Sequence, residues 1–354
     1  MVVVCASWPV DAGQSDFWFT DELDAYRQLV EAYRTGRETD AIDGVLAFAP
    51  DVIHRLIDRV RAPDGRLTGT DAEPALNEQL FRAAAMLHTD VADRLWSRGR
   101  ERAANHQIEV AVRWIDMSTR SPEPVDAFRR RWYLGVTLLA FERGGWQAGV
   151  AFVDVASARV PDDVALLTTA AWMNEALALS SYSFANGGES GLRRRQQAKH
   201  DLLLVAAGQA RAALETSPDA VEAVLRLARV QMLLEQFDAA EERLSRLVAR
   251  TDLALSEGYL ARLLLGTLYA REDEPGGAER LFREAVDLVP RGQAARIALS
   301  RLFEIRGDRR GAADALEPVM TAELGGPLDP WVEYRLGRQQ GPYLRERLRR
   351  EVRE

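Results

Sequence analysis

The sequence predicts an all-α solenoid, in which helix hairpins stack side by side along the chain. A pattern of small and aromatic residues recurs every 34 to 38 residues, most clearly at Gly266, Tyr269, Ala278, Phe282 and Ala285. Self-similarity at this period is typical of helical repeat proteins. The segments between glycines and prolines are rich in strong helix formers. No run alternates apolar and polar residues as a half-buried strand does.

The repeat is visible when the pattern is moved along the chain. The corresponding residues 34 positions later are Ser300, Phe303, Ala312, Leu316 and Val319. Those 38 positions earlier are Ala228, Ala240, Leu244 and Leu247. Small residues allow two antiparallel helices to approach closely, and the aromatic residue fills the space between hairpins. A single hairpin cannot bury its apolar stripe alone, so its stability depends on its neighbours.

The best copy resembles the tetratricopeptide repeat family, in bacterial form. The family pattern runs Trp-x2-Leu-Gly-x2-Tyr, then Ala-x3-Phe, then Pro. The matching residues here are Leu265, Gly266, Tyr269, Ala278, Phe282 and Pro290, with Arg262 in place of the tryptophan. The match is specific over residues 219–320, fair over 124–218 and weak before that. The resemblance implies a right-handed superhelix with a concave groove that binds a peptide or partner protein.

Read in order, the chain contains about seven hairpins and a C-terminal cap. The expected hairpins are at about 20–60, 74–118, 125–160, 163–216, 219–250, 254–289 and 292–322. The expected domains are a tail (1–14), degenerate helical hairpins (15–123), a repeat array (124–322) and a helical cap on the last repeat (323–354).

Three segments depart from the repeat. Residues 61–73 predict a polar loop, and residues 181–197 predict an insertion between the two helices of one hairpin. In the cap, Asp329 and Pro330 have the residue types of an N-cap and a first helical position, so they predict a short helix that ends at Leu336.

Composition limits the partners. The chain has 46 basic and 54 acidic residues and a net charge of −8, so its overall field repels nucleic acid and anionic membranes. Its single cysteine, Cys5, excludes an internal disulfide framework and a cysteine-based zinc site. No stretch reaches the roughly 20 apolar residues of a membrane-spanning helix.

The N-terminus leaves the localisation open. Residues 1–12 are either the end of a truncated signal peptide or a frayed terminus, because they lack the basic leader and the full apolar core of a secretory signal. A cytoplasmic protein and an exported or periplasmic one are both compatible with the sequence.

No catalytic, cofactor or metal site is expected. The four histidines, His54, His88, His106 and His200, are scattered over different hairpins and form no metal-binding motif. The glycines at 187, 188 and 191 lack the Lys-Ser/Thr ending of a phosphate loop. The sequence therefore favours binding over catalysis.

The expected binding site is the face of the first helices, which the resemblance places along the groove. Its residues are Trp132, Val136, Leu225, Arg229, Leu263, Thr267, Ile297 and Arg301. Apolar residues interleaved with arginines suit amphipathic or acidic peptides. Alternatively, the chain's own C-terminal segment or a neighbouring repeat fills this face.

The leading hypothesis is a non-catalytic scaffold that binds a protein or peptide. Two alternatives remain: a helical-repeat RNA-binding protein, and a regulatory or accessory subunit of an enzyme complex. The acidic balance and the apolar first-helix positions argue against RNA, and the sequence does not separate a scaffold from an accessory subunit.

Overall fold

The computed structural model describes residues 15–48, 52–53, 55–57, 74–117, 127–180, 188–321, 329–337 and 341–354. Every regular element in these residues is a helix, which confirms the all-α class. The expected tail (1–14) and the polar loop (61–73) lie outside the described residues. None of the helices in the described ranges has the length and apolar character needed to cross a membrane.

The helices follow the predicted order. They are α1 (Ser15–Arg34), α2 (Glu38–Ala47), α3 (Pro74–Trp96), α4 (Glu101–Met117), α5 (Ala127–Arg159), α6 (Val164–Leu179), α7 (Gly188–Thr216), α8 (Val221–Leu233), α9 (Phe237–Val248), α10 (Leu255–Arg271), α11 (Pro275–Leu288), α12 (Gln293–Ile305), α13 (Arg309–Met320), α14 (Pro330–Leu336) and α15 (Gly341–Glu351). Neighbouring helices contact each other as hairpins in the pairs α1/α2, α3/α4, α6/α7, α8/α9, α10/α11 and α12/α13. The repeat period therefore predicts the helix pairing correctly.

Where the hairpin 125–160 was expected, the structure has one long helix, α5, with a break. Gly145, inside α5, has φ 74° and ψ −168°, a conformation that glycine adopts without a steric penalty. The chain divides into two compact units at this residue, one made of Met1–Gly144 with Gly341–Glu354 and the other of Gly145–Gln340. The domain boundaries expected at 123/124 and 322/323 do not coincide with this division and stay predictions.

The first unit has a polar chain inside its core. The Tyr26 hydroxyl lies 2.9 Å from Nε2 of His88, and Nδ1 of His88 lies 2.6 Å from Oε1 of Gln107. His88 is completely buried, and the ring of Trp114 stacks on Tyr26 at a centroid distance of 5.5 Å. Because both ring nitrogens of His88 have partners, this histidine joins α1, α3 and α4 as a structural group.

Helix α15 belongs to the first unit, which differs from the cap expected on the last repeat. The Arg349 guanidinium donates to both carboxylate oxygens of Asp90, at 2.9 and 2.7 Å. Arg345 donates to Glu142 at 3.1 Å, and Leu348 between them is 1% exposed. Arg349 and Arg345 thus pair with carboxylates of α3 and α5. Such pairing over long sequence separations leaves no periodic signal.

The second unit shows why the repeat needs small residues. A Cβ atom on Gly266 of α10 would lie 2.7 Å from Cε1 of Phe282 in α11, closer than van der Waals contact allows. Ala278 and Ala285 of α11 are completely buried, and Phe282 is 2% exposed. The absence of a side chain at Gly266 therefore sets the approach of the two helices.

The turns of the hairpins α8/α9, α10/α11 and α12/α13 each place one residue in the left-handed region. These residues are Glu235 (φ 62°), Asp273 (φ 63°) and Gly307 (φ 78°), spaced by the same 38 and 34 residues as the repeat. Only glycine adopts this conformation at no cost. Glu235 and Asp273 therefore carry local strain that Gly307 avoids.

The predicted insertion at 181–197 is shorter in the structure. Residues 188–197 form the first turns of α7, and residues 181–187 lie outside the described part of the chain. Residues 192–197 are leucine, arginine and glutamine, which are good helix formers. Helix propensity therefore extends α7 where the break in the repeat pattern predicted a loop.

Candidate functional site on the first helices

The expected site residues of the first unit lie in its core. Trp132 is completely buried and Val136 is 1% exposed, both on α5. The Trp132 indole Nε1 donates to Oγ1 of Thr89 at 3.2 Å, and its ring packs edge-on against Tyr133 at 5.1 Å. In this conformation neither Trp132 nor Val136 is accessible to a partner.

The other six expected residues lie in the second unit. They are Leu225 and Arg229 on α8, Leu263 and Thr267 on α10, and Ile297 and Arg301 on α12. The two leucines are 1% and 4% exposed and belong to one hydrophobic core cluster. The Arg229 side chain is 11% exposed, whereas Ile297 is 52% exposed and Thr267 and Arg301 are also exposed. Of the six, only Thr267, Ile297 and Arg301 are accessible to another molecule.

A short peptide of the chain itself lies over the first helices. We call residues 329–337 the C-terminal segment. We call the surface that it contacts the first-helix face, formed by Trp172 of α6, Arg226 and Arg229 of α8, Tyr259 of α10 and the N-terminus of α12. Against α8, the chain's own segment covers Arg226 and Arg229, and Leu225 packs in one core cluster with Leu263 of the next repeat.

A buried charge cluster forms the centre of the first-helix face. Oε2 of Glu175 accepts from Arg226 Nη1 at 3.1 Å, and its Oε1 lies 2.9 Å from Arg229 Nη1. The side chains of Arg226 and Glu175 are 0% and 2% exposed. Burial alone lowers the pKa of Arg226, but the nearby Tyr334, Glu175 and Glu222 outweigh it and raise this pKa above its ordinary value. The buried arginine is therefore charged and compensated by hydrogen bonds.

The two arginines hold the aromatic residues of the C-terminal segment. The Arg226 guanidinium lies 3.6 Å from the ring centroid of Tyr334, and that of Arg229 lies 4.6 Å from the ring of Trp331. The two rings stack on each other at 5.7 Å with an interplanar angle of 16°. Arg226 Nη2 also donates to the backbone oxygen of Tyr334 at 3.0 Å. A cation–π contact contributes about 2 kcal/mol at a desolvated site such as that of Arg226 and Tyr334.

Asp329 fixes the start of the segment. Its Oδ2 accepts from the backbone N of Ala294 at 2.8 Å and from the Tyr259 hydroxyl at 3.1 Å. Its Oδ1 accepts from the backbone N of Trp331 at 2.7 Å, which makes it the N-cap of α14, as the sequence predicts. Gly292, the N-cap of α12, has no side chain to serve that helix. Asp329 therefore caps two helices at once.

The end of the segment lies on Trp172. The indole Nε1 of Trp172 donates to the backbone oxygen of Arg335 at 3.0 Å. Gly337 has φ 69°, and a Cβ atom there would lie 2.3 Å from the Trp172 ring. Only a residue without a side chain fits between the end of α14 and this ring.

A cavity of about 410 Å³ opens beside the C-terminal segment. Its lining combines two aromatic rings with charged groups and includes Trp172, Glu175, Arg229, Trp331 and Arg335. This mixture suits a peptide side chain better than a fully apolar ligand. Within the described ranges, no three His, Cys, Asp or Glu residues are grouped to hold a metal ion.

Several of these contacts have no signal in the sequence. Glu175 and Arg226 lie 51 positions apart and outside the repeat pattern. Arg229 of α8 was expected on a binding face, whereas only the structure shows that Arg226 contacts the segment. Asp329 carried a signal, because an acidic residue before a proline is a recognisable helix start.

Comparison with known proteins identifies the repeat. Residues 205–265 match the family model described as tetratricopeptide repeat. Residues 205–265 carry tetratricopeptide repeats. This confirms the predicted family from the part of the chain that includes Leu265, the first matching position of the best copy. A comparison of the sequence with curated proteins gives no match.

Solved structures resemble the chain at low identity. A tetratricopeptide repeat protein from Parabacteroides merdae ATCC 43184 shares 14% identity over 76% of this chain and 90% of its own, with a TM-score of 0.46. TTC0263, a thermophilic TPR protein of Thermus thermophilus, shares 18% over 62% of this chain and 100% of its own, with a TM-score of 0.40. The human IFIT1 dimer with m7Gppp-AAAA shares 15% over 95% of this chain and 68% of its own, with a TM-score of 0.46. These similarities carry no conclusion about partners.

Proposed function

We propose that this chain is a non-catalytic scaffold that binds a peptide or a partner protein on the first-helix face of its second unit. Tetratricopeptide repeats support the general role in protein interaction. One observation carries the specific proposal: the first helices of four successive hairpins jointly hold residues 329–337 by side chains and backbone groups. A surface with these groups is suited to bind polypeptide.

Next to the first-helix face, the proposed site includes exposed residues of α10 and α12. Thr267 and Arg301 occupy the repeat position of Arg229, which lies under Trp331 of the C-terminal segment, and Ile297 occupies that of Leu225. The Ile297 side chain is 52% exposed and therefore accessible to a partner. An apolar side chain one helical turn from an arginine suits an amphipathic peptide with acidic groups.

The test is capture of a partner from native cells, followed by rebinding with the purified partner. Ile297→Glu introduces a carboxylate into the exposed part of the proposed site and is expected to weaken binding by about 30-fold, the loss of one hot-spot residue. The matched control is Met320→Glu, which changes another exposed apolar residue, 79% exposed, at the end of α13.

The outcomes are distinct. Loss of the partner in Ile297→Glu with retention in Met320→Glu supports the proposal. Equal binding of both variants and the wild type contradicts it and moves the site elsewhere.

A further inference from the structure

The C-terminal segment contacts the first-helix face as a bound peptide does. The first-helix face contacts the Asp329 carboxylate, the rings of Trp331 and Tyr334, and the backbone oxygens of Tyr334 and Arg335. Peptide-recognition surfaces use the same combination of anchoring side chains and main-chain hydrogen bonds. The contacts therefore define a sequence pattern, not only a covered surface.

The segment depends on the face for its structure. Helix α14 has seven residues, whereas isolated helices shorter than about 12 residues are marginal in water. It also lies outside the repeat pattern. Its helical shape is thus acquired through contact, as in short peptides that fold on binding.

The face, in contrast, has contacts that need no atom of the segment. Glu175 is held between Arg226 and Arg229 at 3.1 and 2.9 Å. The Tyr259 hydroxyl accepts from the backbone N of Ala295 at 3.1 Å. A face that is ordered by its own contacts can exchange one occupant for another at a low reorganisation cost.

We infer that the first-helix face around Arg226 is a peptide-binding site whose resident occupant is the C-terminal segment. The external ligand is a partner segment of the same chemistry: an acidic residue, an aromatic residue two positions later and a second aromatic residue three positions after that. This inference rests on the proposed function, since the partner is a polypeptide. It adds the pattern that the partner presents and the segment that it displaces.

The tether explains why the site is closed at rest. A segment joined to its site by a short linker acts at an effective concentration on the order of millimolar. A free peptide of equal affinity at micromolar concentration does not displace it. The site therefore opens when the segment is weakened, or when a partner gains further contacts at exposed positions such as Ile297.

The experiment measures binding in trans. A fluorescein-labelled peptide with the sequence of residues 329–337, Asp-Pro-Trp-Val-Glu-Tyr-Arg-Leu-Gly, is titrated with the full chain and followed by fluorescence anisotropy. The variant Trp331→Ala/Tyr334→Ala removes both rings of the resident segment. We expect it to bind the peptide at least about tenfold more tightly than the wild type does, because the competing tether is weakened.

A second variant opens the site by a different route. Gly337→Val keeps both aromatic rings but drives a side chain into Trp172, where even a Cβ atom would lie at 2.3 Å. It is expected to increase peptide binding as well. The matched control is Val332→Ala, in the same segment but 37% exposed, which is expected to behave as the wild type.

Two further variants test specificity. Adding Arg226→Met to either opened variant is expected to abolish binding, because Arg226 contacts both the ring and the backbone oxygen of Tyr334. A labelled peptide with alanine in place of its tryptophan and tyrosine is expected not to bind. Circular dichroism melting of each variant confirms that the repeats are folded.

Three results would overturn the inference. The first is the absence of peptide binding to both opened variants while they stay folded, and the second is binding that survives Arg226→Met. The third is a wild-type dimer formed by exchange of the segment between two copies, since the occupant is then the chain itself. The peptide titration uses no partner protein. A negative titration therefore does not change the result of the Ile297→Glu capture test, and a negative capture test does not change the titration.

Discussion

The close approach of α10 and α11 makes opposite predictions for two chemically identical substitutions. Gly266→Ala places a methyl group 2.7 and 2.8 Å from the ring of Phe282 and 3.3 Å from Cβ of Leu281. Gly208→Ala, in the middle of α7, places the same group where no atom lies within 4 Å. Both glycines are inside helices, so both substitutions gain the same helix propensity.

The expected magnitudes follow from two terms. Replacing glycine by alanine inside a helix stabilises the fold by about 1 kcal/mol. Overpacking a tight contact costs about 1–3 kcal/mol, and the 2% exposed ring of Phe282 has no open space to move into. Gly208→Ala is therefore expected to stabilise by about 1 kcal/mol and Gly266→Ala to destabilise by up to about 2 kcal/mol.

The assay is urea unfolding followed by circular dichroism at 222 nm. A change in the unfolding midpoint at constant slope reports a change in stability. The two variants should shift the midpoint in opposite directions, or leave Gly266→Ala near the wild type and Gly208→Ala above it. If both variants raise the midpoint equally, Gly266 does not set the helix approach and the reasoning is refuted.

Three other substitutions give independent checks. Arg349→Met leaves the Asp90 carboxylate, 5% exposed, without its guanidinium partner and should lower the free energy of unfolding in urea by about 3 kcal/mol. The control Arg350→Met changes an exposed residue and should have little effect. Equal effects of the two variants would contradict the buried pair. Asp273→Gly relieves a left-handed turn residue (φ 63°) and should stabilise the fold by about 0.5–1 kcal/mol; a lower unfolding midpoint would show that the turn is not strained. Hydrogen bonds from Arg306 and Arg283 lower the pKa of Glu279. The stability that ionised Glu279 gives the fold is therefore complete above its unfolded-state pKa and is lost as the pH falls through the lowered pKa. Glu279→Gln should therefore lose less stability than the wild type between about pH 6 and about pH 3.5, and an unchanged loss would argue against this ion pair.

The sequence predicts well what the repeat period controls. The helix pairs, the glycine–phenylalanine contact of α10 and α11, and the N-cap at Asp329 each follow from local spacing or residue type. These features are set by neighbours in the chain or by one repeat against the next. Periodicity is therefore sufficient to find them.

Contacts between distant, non-repeating residues could not be predicted. Arg349 finds Asp90 across 259 positions, and Arg226 finds Tyr334 across 108. Trp132 was expected on an accessible face, but its indole nitrogen finds a partner, Thr89, inside the core. For such residues the pattern predicts the position on the helix. The burial of the side chain depends on which distant parts of the chain pack against it.

Because Asp329 caps both α14 and α12, the C-terminal segment contributes to the stability of the last hairpin. When that segment leaves, the amide of Ala294 loses a carboxylate acceptor, a loss of about 1 kcal/mol at a helix terminus. A terminal repeat has a neighbour on one side only and is the first to fray. Departure of the resident peptide is therefore expected to loosen the first turn of α12, the helix that Asp329 caps.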